Sequence, residues 1–410
     1  MSRADDYAAS RAFAGVAARH DARPRSPSEA ALRNTRTLLL KPVGDKCNLA
    51  CPYCYEMTRR PGGMSAGRMS PVTLESVFAN LLPHVPKPFD IFVHGGEPLL
   101  AGRDYFEALV AAARRHAGSG EIRWGVQTNG VLIDEAFAEF FAAHAFNVGV
   151  SLDGPPAIHD AQRPQHNGTG SHARAVAGIE RLKRADVAFG ITAVITRRLA
   201  ETEGGAALLL DHFAGLGATQ FDVHPAWTPF GDARDENLDP AAYARFILEL
   251  FDSWTARGDP AIRIRSFEEF FKGMTGASGE TCFRAGRCLS ILGVDPDGSA
   301  SPCTRPFGAE HRFGNLAARG FDEIVGGEGY RRFAADEAAG RAAHAACKWA
   351  NLCGSGGCPH ERLRDGAQAV DGRHVYCTCD ETGNVGGYPA IFAGLIRRVE
   401  YVLGSRVKLQ

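Results

Sequence analysis

What the chain lacks narrows its class before any motif is read. No uninterrupted apolar run approaches the roughly 18 residues that cross a bilayer, and the N-terminus has no apolar core of a secretory signal. The expectation is a cytoplasmic protein with no membrane partner. Net charge is missing too: 46 Lys and Arg meet 47 Asp and Glu for a formal −1, so the overall balance carries no electrostatic footprint for nucleic acid. Residues 1–36 depart locally, with seven Arg against four acidic residues, the composition of a solvated tail. Repeats and long low-complexity tracts are also absent. Cysteine is absent over one long interval, since none of the eleven lies between Cys54 and Cys282. Three stand at Cys47, Cys51 and Cys54, and eight follow at Cys282, Cys288, Cys303, Cys347, Cys353, Cys358, Cys377 and Cys379. In a compartment that keeps thiols reduced, such groups point to metal binding or redox chemistry and away from structural disulfides.

The 410 residues, 45% of them hydrophobic, are ample for a buried core. Between residues 37 and 227, six β-rich runs alternate with helical patterns: TLLLKPV, FDIFVHGG, IRWGVQTNG, FNVGVSLDG, VAFGITAVIT and TQFDVHPAW. Alternation of this kind signals repeated βα units and a parallel sheet. SPVTLESVFANLL opens with Ser70 as N-cap and Pro71 at the first helical position, and sets Leu74, Val77, Phe78 and Leu81 on one face. RDYFEALVAAARRHA repeats the pattern with Phe106, Leu109, Val110 and Ala113. The fold class expected is α/β, a partial (β/α)6 TIM-type barrel whose site lies at the C-terminal ends of the strands. Its expected extent is 36–240, after a tail at 1–35. A helical bridge at 241–281, a Cys-rich domain at 282–380 held by metal, and a C-terminal helix at 381–410 complete the organisation.

The thiols after the first strand are spaced C-x3-C-x2-C, in KCNLACPYCYE. Three thiolates can hold three irons of a four-iron, four-sulfur cluster and leave the fourth iron open to a small molecule. A zinc site with an open position is the chemical rival, although zinc ligands usually come as CxxC pairs or include His. CNLACPYC, with Tyr53 before the third Cys, resembles the signature of the radical S-adenosylmethionine (SAM) superfamily. HGGEP at 94–98, QTNG at 127–130 and SLDG at 151–154 stand at the ends of the next three strands, and Arg163 follows Ser151 by twelve residues. The resemblance implies a 4Fe–4S cluster on Cys47, Cys51 and Cys54. It implies SAM contacts from Tyr53, Gly95, Gly96, the Glu97 region, Ser151 and Arg163. Asn129 and Asp153 fit equally as site residues and as turn residues. His94, His159, His166 and His224 are expected to pack or hydrogen-bond, and Tyr55, Trp227 and Trp349 to belong to the core or to line a peptide groove.

The late cysteines extend the resemblance. Cys288-x9-Gly298-x4-Cys303 matches the opening of the SPASM domain of radical SAM peptide maturases, and CKWANLCGSGGCP adds Cys347, Cys353 and Cys358. The family's C-x2-C-x5-C-x3-C run is altered twice: His344 stands where its first Cys would be, and the last interval is one residue longer. The resemblance implies one auxiliary cluster on Cys282, Cys288, Cys303 and Cys358, and a second on Cys347, Cys353, Cys377 and Cys379, with His344 a bystander. The cofactors implied are three 4Fe–4S clusters and SAM. The partners implied are a precursor peptide and an electron donor of flavodoxin or ferredoxin type.

Anaerobic sulfatase maturases, which the chain resembles along most of its length, carry a carboxylate base directly after the second SPASM Cys. Thr304 stands there, and its hydroxyl is a poor base at neutral pH. Asp295 and Asp297 are the nearby substitutes, and no catalytic residue is assigned. The function expected is therefore a peptide maturase that installs a crosslink, cyclophane or similar, with formylglycine formation or thioether formation as alternatives. A non-catalytic iron–sulfur redox protein gives no reason for HGGEP, Ser151 and Arg163 to accompany the three-Cys loop. The tail is expected to be too short for a winged-helix leader-binding domain.

Anaerobic reconstitution is expected to load about twelve irons per chain, three four-iron clusters. Reduction with SAM should yield 5′-deoxyadenosine in the wild type and none in Cys51→Ala. About four irons per chain would mean that the late cysteines bind something else.

Overall fold

The computed structural model describes residues 34–56, 67–227, 236–353, 357–364, 367–368, 375–379 and 385–403, apart from Ser278, Phe283 and Pro306. The tail expected at 1–35 lies almost wholly outside them.

All six expected strands form: β1 (Thr37–Leu40), β2 (Phe89–Val93), β3 (Ile122–Thr128), β4 (Asn147–Ser151), β5 (Phe189–Ile195) and β6 (Gln220–Pro225). They pair in sequence order and in parallel, as repeated right-handed crossovers require. A main helix follows each strand: α1 (Pro71–Leu81), α2 (Arg103–His116), α3 (Glu135–Ala143), α4 (His172–Arg184), α5 (Gly205–Gly215) and α6 (Pro240–Arg257). α1 starts where the sequence says it should, with Thr73 N donating to Ser70 Oγ at 3.0 Å and Pro71 in the first turn. Its buried residues are the four expected, Leu74, Val77, Phe78 and Leu81.

Sheet and helices share one core. Leu38, Leu40, Ile91, Val93, Val126, Val150 and Ile191 are all but inaccessible and join Phe78, Phe106, Leu109, Phe141, Ile179, Leu209 and Phe213 of the helices. The alternate residues of β1, β2, β4 and β5 are only partly buried. A parallel sheet covered on both faces would bury both sets. The inner face therefore borders a lumen.

The sheet also runs beyond the six expected strands. In the segment expected as a helical bridge, β7 (Arg263–Ile264) adds in parallel to β6 before α7 (Arg265–Met274). In the Cys-rich segment, β8 (Ile291–Val294) adds in parallel to the opposite side, against β1. β9 (Ser299–Ser301) and β10 (Gly314–Asn315) extend that edge antiparallel. These short strands escape a search for long β-rich runs because four residues or fewer carry no readable periodicity. The cysteine-rich part continues through α8 (Glu328–His344) and a short helix at Ala350–Cys353. α9 (Gly387–Leu403) ends the described chain and ties back to α6, with Arg398 Nε on Asp252 Oδ1 at 2.6 Å.

Removing the α1 cap tests how the sequence starts its first crossover helix. Ser70→Ala is expected to lower folding stability by about 1 kcal/mol, read as a lower denaturant midpoint, without changing iron content. An unshifted midpoint would show that this bond carries no weight.

Candidate active site

The loop after β1 carries the three thiols and is held on two sides by backbone. On one side Gly96 N donates to Gly44 O at 2.9 Å and Glu97 N to Lys46 O at 2.8 Å. On the other, Ala50 N donates to Pro164 O at 2.8 Å and His166 Nε2 lies 2.9 Å from Cys47 O. The glycines of HGGEP have a steric reason. A Cβ on Gly95, at φ +116°, would stand 2.5 Å from Gly44 O, and one on Gly96 2.1 Å from Lys46 O. Only glycine lets the two loops approach this closely.

The Glu97 side chain is engaged within the protein. Its carboxylate is fully buried and accepts from Leu99 N at 3.0 Å, Thr128 Oγ1 at 2.8 Å and Asn129 N at 2.7 Å. Burial pushes its pKa up to about 7 against those three bonds. The side chain is spent stitching β2 to β3, so any contact with a ligand from this motif falls to the loop backbone. Asn129 is no mere turn residue: Nδ2 reaches Asn48 Oδ1 at 2.7 Å and Cys47 Sγ at 3.7 Å.

Asp153 joins three strands' worth of structure. Fully buried at the end of β4, it accepts from Tyr53 Oη at 2.6 Å, from Arg163 Nε and Nη2 at 2.8 and 2.9 Å, and from Val194 N at 2.9 Å. Arg163 stacks over the Tyr53 ring at 5.5 Å. Its charge also acts on Cys51, whose pKa burial drives upward and Arg163 draws down. Behind them Asp153 N donates to His159 Nδ1 at 3.1 Å, which leaves the proton on Nε2, 3.0 Å from Ser171 Oγ. Burial holds His159 down at about 3, so it stays neutral. Tyr53, Asp153 and Arg163 thus form one charged, hydrogen-bonded unit against the thiol loop.

Strand register sets a second group on the lumen side. Leu40 pairs with Val93 and with Val294, and Val93 with Val126. The next residue of each strand then forms one row: Asp295, Lys41, His94 and Gln127. Lys41 Nζ lies 2.8 Å from Glu56 Oε2 and 3.6 Å from Asp295 Oδ1, all three side chains buried. His94 Nδ1 accepts from Gly95 N at 2.7 Å, and burial with the nearby Lys41 and Arg305 charges lowers its pKa to about 4. Gln127 Nε2 donates to Ser151 Oγ at 3.0 Å. Gly149 makes that reach possible, because a Cβ there would meet Gln127 Oε1 at 2.2 Å. Lys41, Glu56 and Gln127 were not singled out from sequence; a lysine ending an apolar strand is the one signal that marks the row.

The thiol sets differ in what is seen of them. Cys47, Cys51 and Cys54 act on one another electrostatically, and burial raises Cys47 to about 11. Of the late set, Cys288 is raised first by a hydrogen bond with Cys282, then by burial, and also senses Cys358. Cys303, up at about 11 mainly through burial, senses Cys282. Cys282 and Cys358 thus lie within electrostatic reach of Cys288, and Cys282 within reach of Cys303. Cys347 follows α8, Cys353 ends the short helix, and Cys377 and Cys379 bound a three-residue strand; the side chain of Cys379 lies outside the described residues. Buried thiols that stay protonated fit metal ligation, where the metal displaces the proton and takes the thiolate. All-sulfur donors in sets of three and four suit iron–sulfur clusters. Arg305 links the two sites, lying 5.6 Å over the Tyr55 ring two residues past Cys303.

Comparison with known proteins places the chain in a family. The radical SAM superfamily pattern matches residues 42–202, and the SPASM iron–sulfur cluster-binding domain matches 282–354. A serine-type anaerobic sulfatase-maturating enzyme of Klebsiella aerogenes is 30% identical over 286 residues, 68% of this chain and 69% of that one. The chain belongs to the radical SAM superfamily. It is a radical SAM enzyme with a SPASM domain, and its cofactors are SAM and 4Fe–4S clusters, three being the SPASM-type complement. A cysteine-type sulfatase-maturating enzyme of Clostridium perfringens strain 13 is 29% identical over 343 residues, covering 82% of this chain and 91% of that one. The solved structure of native anSMEcpe with bound AdoMet and Cp18Cys peptide superposes with a TM-score of 0.77 at 27% identity, over 90% of this chain and 99% of that one. Among the described residues, no helix is long and apolar enough to cross a membrane.

The Asp153 unit yields a graded test. Tyr53→Phe removes a hydrogen bond to a charged acceptor and is expected to cost about 1.5–3 kcal/mol. Asp153→Ala strands the buried Arg163 charge and is expected to cost about 3–5 kcal/mol. Chemical denaturation of the reconstituted enzyme measures both, and equal, small losses would dissolve the unit.

Proposed function

We propose that this radical SAM enzyme, like its sulfatase-maturating relatives, matures a peptide or protein substrate, and that it does so by oxidising a side chain. The reading rests on one observation, the polar row of Asp295, Lys41 and His94 at the strand ends, between the thiol loop of β1 and the Cys303 loop. The SAM contacts proposed are Tyr53, the backbone of Gly95 and Gly96, Ser151 and Arg163; the cluster ligands proposed are Cys47, Cys51 and Cys54, with Cys282, Cys288, Cys303 and Cys358 for the first auxiliary cluster. The peptide binds in the lumen, and a small electron-transfer protein supplies the reducing electron.

When bound, SAM and the clusters supply a 5′-deoxyadenosyl radical that removes a hydrogen atom from carbon, and an acceptor for the second electron. What the chain itself must supply is a place for the proton. Thr304, buried directly after Cys303, has no basic group to offer. Asp297 is exposed and engaged with Ser299 N at 2.9 Å and Ser299 Oγ at 2.8 Å. Asp295 is buried on the lumen row, and Glu56 takes the closer contact with the one ammonium both share, 2.8 Å against 3.6 Å. Asp295 is the carboxylate carried at the end of β8 on this row, and we assign the role of proton acceptor to it.

Thr304 also supports a second reading, in which the product is a crosslink, cyclophane or similar, within a precursor peptide. The two products part cleanly: an aldehyde from a sulfatase-type Cys or Ser peptide reacts with a hydrazide, whereas a crosslink is hydrazide-silent and joins two fragments in tandem mass spectrometry.

Asp295→Asn is expected to keep 5′-deoxyadenosine formation while cutting modified peptide by about 10²-fold or more. Wild-type product yield in that variant would remove Asp295 from the mechanism.

A further inference from the structure

The second auxiliary site has one candidate ligand too few cysteines in register and one histidine in their place. His344 ends α8, three residues before Cys347 and nine before Cys353. The residue is 7% exposed. Nδ1 lies 2.7 Å from Gly340 O, and since a carbonyl only accepts, Nδ1 carries the proton. The lone pair of the neutral ring is then on Nε2. That atom is buried and, among the described residues, has no hydrogen-bond partner. A buried acceptor left so is costly and rare. A histidine whose one nitrogen is fixed by a backbone carbonyl while the other is left bare has the arrangement of a metal ligand.

The local chain gathers the neighbours toward it. Cys347 N donates to His344 O at 3.0 Å, Ala350 N to Cys347 O at 2.9 Å and Cys353 N to Trp349 O at 3.0 Å. Three successive tight turns thus carry the backbone from His344 through Cys347 to Cys353, and the first closes a two-residue interval of the kind that chelating pairs use. The same helix also borders the first auxiliary thiols, because the Glu337 charge, seven residues before His344, acts on Cys288. α8 therefore spans from one auxiliary thiol set to the other.

We propose that the second auxiliary cluster is held by three thiolates and one imidazole: Cys347, Cys353, one cysteine of the strand Cys377–Cys379, and Nε2 of His344. The other cysteine of that strand is left as a thiol. This assignment does not depend on which substrate side chain the enzyme modifies. A neutral imidazole in place of a thiolate makes the cluster one charge less negative and moves its potential upward, as histidine ligation does in other iron–sulfur centres.

The test uses the full chain, reconstituted anaerobically, labelled with ¹⁵N-histidine and reduced without SAM, so that no SAM nitrogen contributes. Pulsed electron paramagnetic resonance is expected to show a strongly coupled ¹⁵N nucleus. His344→Cys is expected to keep about twelve irons per chain, three four-iron clusters, while losing the nitrogen coupling and shifting one cluster to a lower potential. His344→Ala need not fold, and the cysteine variant keeps the test decisive. No strongly coupled nitrogen in the wild type, coupling that persists in His344→Cys, or about eight irons in the wild type, two clusters, would each overturn the assignment.

Discussion

The arrangement of the site depends on one register. Leu40 of β1 pairs with Val93 on one side and Val294 on the other, and the second pairing recruits a strand more than 250 positions away in sequence. Side chains in a strand repeat every two residues, so a slip of one position would turn Lys41 into the helix-covered core and send Leu40 into the lumen. The burial pattern forbids this, because Leu38 and Leu40 are wholly enclosed. Hydrophobic packing of β1 against its helices thus fixes the polar row on the opposite face. The same strand, β8, leads by a short turn into β9 and Cys303. Closing the β1 edge with β8 is what brings the Cys303 loop next to the three-thiol loop.

Burial of the thiols gives the fold a second constraint. Cys47 and Cys303 are each pushed up to about 11, in both cases mainly by burial. As bare thiols they are poor metal ligands at neutral pH, since ligation requires the thiolate. Metal binding must therefore pay for deprotonation in a low-dielectric setting, and the chain has prepared for it with donors aimed at sulfur. Leu49 N reaches Cys47 Sγ and Arg305 N reaches Cys303 Sγ, each at 3.4 Å. Such contacts stabilise sulfur that carries negative charge, and they tie the folding of both loops to their cofactors.

Local features were legible in the sequence and cross-chain ones were not. The six strands, the Ser70 cap and the buried faces of α1 and α2 follow from periodicity and capping, which act within a few residues. The cysteine spacings were legible for the same reason. The bonds of the Glu97 side chain were not legible because a motif shows which residue is present and not which atoms it satisfies; three donors from the end of β3 and its own loop consume the carboxylate. Asp153 stayed undecided between turn and site because its partners Tyr53 and Val194 lie 100 and 41 residues away. Lys41 went unnoticed because its meaning arises only when β8 and the residue after Tyr55 arrive beside it.

Lys41 also bears on how the chain manages without a carboxylate after Cys303. Two buried carboxylates share one ammonium, at 2.8 and 3.6 Å. At an effective dielectric of about 20, those separations correspond to about 6 and about 5 kcal/mol of attraction before desolvation. The roughly 1 kcal/mol difference falls in favour of Glu56. Of the two carboxylates, Asp295 is the one carried at the end of a strand paired to β1. A base carried on a loop moves with that loop, whereas one carried at a strand end is held by the sheet ladder, here through Lys41 N on Val294 O at 2.9 Å. With Thr304 where a carboxylate would stand, the proton acceptor proposed, Asp295, follows the last residue of β8 that pairs with β1.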